Sequence, residues 1–182
     1  SEEMYALVDF FEDYELPLRF TFHDANYAYI GYEEFAAREK AKNLHNNIVD
    51  GEDQDHHLVE MPFGAFGFVP RERAEQFAQK YGYLGLQFLY SYPGSDGCDI
   101  TQSGVNKGCG LCELAQLAGL TPAECVAVGD GDNDVSMLQA AGWGIAMANG
   151  SEAAKNAADQ VGPDAAPFGV AELCRSLWPE AF

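Results

Sequence analysis

The chain has 182 residues, with 10 Lys and Arg against 29 Asp and Glu, for a net charge of −19. That balance speaks against a nucleic-acid binder, which needs clustered bases for phosphate backbones, and against docking on anionic lipid. A 47% apolar content with 13% aromatics is enough for a sizeable core.

Met4, Leu7, Val8 and Phe11 recur at helical spacing, so residues 2–14 are predicted as an amphipathic helix that Pro17 ends. Leu18, Phe20 and Phe22 then alternate with Arg19, Thr21 and His23, the period of a strand with one buried face. Residues 26–30 can pair back on it. Residues 32–44 read as a helix directing Phe35 and Ala36 to a core, and 50–55 as a solvated acidic loop. A strand is expected within 58–69, broken by Pro62 and Gly64. Pro70 opens a helix whose inner face carries Ala74, Phe77, Ala78 and Tyr81. Leu84–Ser91 and Cys98–Thr101 suggest two strands around a Pro93-Gly94 turn. Together these elements predict an α+β module on an antiparallel sheet.

The texture changes near 95–104, where the boundary is placed. A helix over 107–118 stops at Gly119, an apolar run follows at 124–128, then a helix at 134–141 and a strand at 144–147. Ser151 caps a third helix, and a last one covers 169–177. Helices alternating with short apolar strands indicate an α/β layer with a parallel sheet. No apolar run reaches the ~20 residues of a membrane span. The start lacks the pattern of a signal peptide, and five cysteines fit a reducing, cytoplasmic setting. Cys109-Gly-Leu-Cys112 has no second ligand pair at zinc spacing, and its cysteines are read as small buried residues.

The chemistry concentrates in Val126-Ala-Val-Gly-Asp130-Gly-Asp132-Asn133-Asp134. An apolar strand delivers three carboxylates and an amide to its C-terminal end, where open α/β sheets bind ligands. Carboxylates this close repel unless a cation or a cationic side chain sits among them, and Mg²⁺, which keeps waters and substrate oxygens, is the natural cation for so few ligands. An EF-hand loop fails on Val135 and Ala141 at its sixth and twelfth positions. A plain polar turn, with Asp132 or Asn133 capping the next helix, is the competing reading.

Three more segments accompany that turn. Ser103-Gly-Val-Asn-Lys107-Gly opens a helix 23 residues before Asp130, while Val-Ser-Met137-Leu138 with Ala141-Gly142 and Gly144-Ile-Ala-Met147-Ala-Asn149 follow it. With them, residues 99–161 closely resemble the C-terminal part of the haloacid-dehalogenase-like phosphatases, in the Cof-type branch; residues 1–98 resemble, by element order, that branch's cap. The resemblance implies an α/β fold: a partial parallel-sheet, Rossmann-like core (96–182) bearing an α+β substrate-specificity cap (1–95). It implies that Lys107 neutralises nucleophile and phosphate, that Asp130 ligates Mg²⁺, that Asn133 contacts the phosphate, and that Asp134 holds the lysine or the metal's waters. Asp132 has no family role and is expected to face solvent or to stand behind the metal's ligands. It further implies a small phosphorylated metabolite, such as a sugar phosphate, as substrate.

The family's nucleophile lies in an Asp-x-Asp-Gly-Thr motif ahead of the cap, and these 182 residues contain none. The chain thus resembles the cap plus the second half of the core, and it is expected to be inactive alone. It is also expected to bind Mg²⁺ weakly and to expose strand edges that invite dimerisation or strand exchange. The alternatives are a non-catalytic binding or regulatory protein and a related phosphomutase. Tyr27, Tyr29, Tyr32 and the aromatics of 63–68 could line a sugar site, but packing of the module's own core is the favoured reading.

Overall fold

The computed structural model describes residues 2–42, 47–50 and 60–181. They form two units, the first from residues up to 90 with 95–103, the second from 91–94 with 104 onward. In the N-terminal unit the order is α1 (Glu2–Asp13), β1 (Leu18–Thr21), β2 (Asn26–Ile30), α2 (Tyr32–Ala41), β3 (Ile48–Asp50), β4 (Gly64–Phe68), α3 (Arg71–Tyr81), β5 (Leu86–Tyr90) and β6 (Gly97–Gln102). The strands make one six-stranded sheet, ordered β3-β2-β1-β4-β6-β5. Its pairings are antiparallel except β2 with β3.

One sheet face carries the core. Leu18 and Phe20 of β1, Ala65 of β4 and Cys98 and Ile100 of β6 are buried with Met4, Leu7, Phe10 and Phe11 of α1 and Phe77 of α3. The predicted α3 face needs one correction. Ala74 and Tyr81 pack against the core, but Ala78 is exposed. Gly64 begins β4 rather than breaking it. Residues 97–102, assigned above to the C-terminal part, pair along both sides with β4 and β5, so the sheet extends to Gln102. The reading of 51–55 as a solvated loop lies outside the described residues.

The C-terminal unit runs α4 (Lys107–Leu117), β7 (Val126–Gly129), α5 (Val135–Ala140), β8 (Trp143–Ala146), α6 (Glu152–Ala157), β9 (Gln160–Val161) and α7 (Gly169–Leu177). β7, β8 and β9 form a parallel sheet in that order, with β7 and β9 at its edges. Helices alternate with strands as the periodicity demands. Asn106 caps α4 by accepting from the Cys109 N–H at 3.0 Å, and Ser151 caps α6 by accepting from Ala154 N–H at 3.2 Å. Gly119, at φ +74°, ends α4 in the left-handed region. No helix among the described residues is long and apolar enough to cross a membrane.

Candidate active site at the carboxyl end of β7

β7 places Asp130 directly beyond its last residue, and a tight turn over Asp132–Asp134 leads into α5. The turn is organised by Asp134. Its Oδ2 accepts the backbone N–H groups of Asp130 and Gly131, each at 2.9 Å. Its Oδ1 accepts from Lys107 Nζ, the first residue of α4. Asp134 is 4% exposed, whereas the Lys107 side chain remains about half exposed. Burial alone would raise the Asp134 carboxyl. The Lys107 ammonium and the two N–H groups outweigh it, and the pKa lies below the ordinary aspartate value.

Gly108 lets α4 come this close. Its N–H donates to Ser136 Oγ at 3.1 Å, and a methyl group there would stand 2.5 Å from the Ser136 carbonyl oxygen on α5. Lys107 reaches Asp134 because the two helices touch through a residue without a side chain.

Two residues to which sequence reasoning gave no functional role, Ser91 at the end of a predicted strand and Tyr92 just after it, complete the surroundings. The Tyr92 hydroxyl donates to Asp130 Oδ2 at 2.5 Å, a bond that, with burial, pushes the phenol up to about 12. The Ser91 carbonyl accepts from Asp132 N–H at 2.6 Å, and its hydroxyl accepts from Asn133 Nδ2 at 3.2 Å. A side chain at Gly131 would collide with both the Ser91 carbonyl and Asn133 Oδ1. No local signal in the sequence marks Ser91 or Tyr92, since their partners lie about forty residues away.

The predicted site residues fall into two groups. Lys107 and Asp134 form an ion pair. Asp130 and Asn133 point to the Ser91–Tyr92 segment. Asp132, expected to face solvent or to stand behind the metal's ligands, is partly exposed, and its Oδ1 is buried without a hydrogen-bond partner. Asp134, rather than Asp132 or Asn133, is the side chain that ties down the turn. Among the described residues no three His, Cys, Asp or Glu side chains gather closely enough to cage a metal. The donor set therefore fits a cation that takes one carboxylate and keeps waters, as Mg²⁺ does, and not a structural zinc or calcium cage. Cys109 and Cys112, expected to be small buried residues, are instead free and exposed on α4.

Residues 1–173 match the family model described as haloacid dehalogenase-like hydrolase. A phosphoglycolate phosphatase of Methanopyrus kandleri is 36% identical over 116 residues, 62% of this chain and 47% of that protein. One of Methanosarcina acetivorans is 50% identical over 62 residues, 34% of this chain and 27% of that protein. A solved sugar phosphatase of haloacid-dehalogenase subclass IIB superposes with a TM-score of 0.78 at 24% identity, over 97% of this chain and 66% of that one. The chain spans less than half of either curated relative and about two thirds of the solved chain. The fold is the mixed α/β arrangement of those neighbours, with a parallel-sheet core.

Proposed function

This chain belongs to the haloacid dehalogenase-like hydrolases, and we propose that it carries the cation- and phosphate-handling part of a Mg²⁺-dependent phosphatase for small phosphorylated metabolites. The observation that carries the reading is the Lys107–Asp134 pair beside Asp130 and Asn133 at the carboxyl end of β7. The names of its relatives, phosphoglycolate phosphatase and sugar phosphatase, support the substrate class. The N-terminal unit would act as the substrate-specificity cap, with its boundary moved from 95 to include β6.

Phosphoryl transfer asks a protein mainly for positioning and charge neutralisation. Asp134 holds the Lys107 ammonium in place, so its charge would meet phosphoryl oxygens without a reorganisation cost. The Asn133 amide would donate to the same group. Asp130 would hold Mg²⁺ through a carboxylate oxygen, with Tyr92 orienting that carboxylate. When bound, Mg²⁺ supplies further charge neutralisation at the transferring phosphoryl group. None of these residues serves as nucleophile: Asp134 already accepts three hydrogen bonds, and the others attract or orient. The aspartate that becomes phosphorylated would lie outside these 182 residues, in an Asp-x-Asp-Gly-Thr segment, and water would then cleave the aspartyl-phosphate.

The test is phosphate release from small phosphate esters by the 182-residue chain and by a chain extended to include such a segment. The short chain should be silent and the extended one Mg²⁺-dependent. In the extended chain, Lys107→Ala and Asp130→Ala should each lower kcat by about a hundredfold, the scale of losing one preorganised charge-stabilising group. Turnover by the short chain that disappears in Lys107→Ala would overturn the division of labour.

A further inference from the structure

We propose that the N-terminal unit contains an oxyanion-binding site that takes the carboxylate or phosphoryl end of a small organic metabolite, in the cavity between α2 and the sheet face opposite the core. The cavity measures about 480 Å³ and is lined by Arg19, Arg38, Lys42, Glu39, Phe66 and Phe68 among others. That volume lies in the range of small-molecule sites. Three of the ten bases in a chain of net charge −19 therefore share one hollow, against a single lining acid.

The strand register explains why the bases stay available. β1 buries Leu18 and Phe20 toward the core, which turns Arg19 to the other face. There Arg19 stands opposite Phe66, and Phe66 opposite Asp99 on the next strand. Among the described residues Arg19 makes no ion pair. Its Nη1 instead donates to two neutral acceptors, Asn26 Oδ1 and, at 3.5 Å, Thr21 Oγ1. Its Asn26 and Thr21 partners hold the half-buried guanidinium in place, while Asp99 and Glu39 act on it through space without pairing with it. It keeps donors in the fork geometry that suits a carboxylate or phosphate.

The aromatic residues supply the rest of the recognition surface. Arg19 lies over the Phe66 ring at 5.1 Å and Arg38 over the Phe68 ring at 3.7 Å. Each ring orients a guanidinium by cation–π attraction and leaves an apolar wall for a carbon skeleton. Phe66 and Phe68 are only partly buried and pack against the buried Phe35 of α2, outside the core cluster around α1. Among the described residues the ion pairs of Arg38 and Lys42, one helical turn apart, run to the exposed Glu34 and the partly buried Glu39, and the exposed Arg38–Glu34 pair is one an anion can replace at little cost.

The experiment is an NMR titration of the ¹⁵N-labelled 182-residue chain with glucose 6-phosphate, glycolate and, as neutral control, glucose. Amide shifts should centre on Arg19, Arg38, Phe66 and Phe68 with one or both anions and be absent with glucose; the two anions tell a phosphoryl preference from a carboxylate one. Arg19→Met should weaken binding by about tenfold, the scale of a lost charge-assisted bidentate contact. Arg38→Met, at an exposed position, should weaken it several-fold and decides the matter if Arg19→Met does not fold. Lys107→Ala should leave these shifts intact, which separates this site from the reading of the β7 turn. No shifts at these residues, equal affinity in the arginine variants, or equal binding of glucose would overturn the proposal.

Discussion

Two glycines two residues apart on α4 should respond to the same substitution with opposite signs. At Gly110 an added methyl group meets nothing within 4 Å, so Gly110→Ala gains only the helix preference of alanine, about 0.8–1 kcal/mol. At Gly108 the methyl group would lie 2.5 Å from the Ser136 carbonyl oxygen and 2.7 Å from its carbon. Ordinary contact begins near 3.4 Å, so α4 and α5 would have to separate by roughly 0.9 Å at a site where interiors are close-packed. Overpacking of this kind costs about 1–3 kcal/mol, and stretching the Gly108 N–H to Ser136 Oγ bond adds about 1 kcal/mol. Gly108→Ala should therefore be destabilised by about 1–3 kcal/mol after the helix gain, leaving the two variants about 2–4 kcal/mol apart. Urea unfolding followed by tryptophan fluorescence reads this directly, because Trp143 and Trp178 both lie in the C-terminal unit. Equal stabilisation of both variants would refute the close approach, and with it the account of how Lys107 reaches Asp134.

Asp134→Ala should cost about 2–5 kcal/mol in the same assay, because it strands two backbone N–H groups that a buried carboxylate now satisfies; Asp134→Asn, whose amide oxygen can still accept, should cost clearly less. Because the folded-state pKa of Asp134 is depressed, its contribution is present above the ordinary aspartate pKa of about 3.9 and fades as pH falls through the lower folded value. Urea midpoints of Asp134→Asn should accordingly fall less steeply than the parent's on acidification below about pH 4. Among the thiols, exposed Cys109 and Cys112 should react with a disulfide reagent in the folded chain. Cys98, buried and pushed up to about 12 mainly by that burial, should react only on unfolding.

What could be read in the sequence was what neighbours along the chain decide. The bounds of α7 at 169–177 match the prediction, and α4 ends where Gly119 was expected to stop it. Lys107, Asp130, Asn133 and Asp134 were all visible as residue types at a telling spacing, although of these only Lys107 and Asp134 form an ion pair with one another in the structure. The rest depends on partners distant in sequence. β3 and β9, three and two residues long, acquire strand geometry only by pairing with β2 and β8. Ala78 sits at a plausible helical spacing yet falls on the outer side of α3. The aromatics of β4 alternate as strand residues do, but which face meets α1 is settled by Gly67, where Phe11 packs against the backbone. Tyr92 and Ser91 carry no local mark at all.

The way Asp134 anchors the turn has a cost for what the turn can hold. The amides of Asp130 and Gly131 converge on its carboxylate, that of Asp132 goes to the Ser91 carbonyl, and that of Asp134 to the Gly131 carbonyl. Many phosphate sites are concave cradles of main-chain amides, able to grip an anion whatever side chains surround them. Here those four amides are already satisfied by protein acceptors, so on the proposed reading an anion arriving at the loop would meet the side chains of Lys107 and Asn133 rather than these main-chain amides. Selectivity at this end of β7 should therefore be tunable one side chain at a time, without the backbone masking the result.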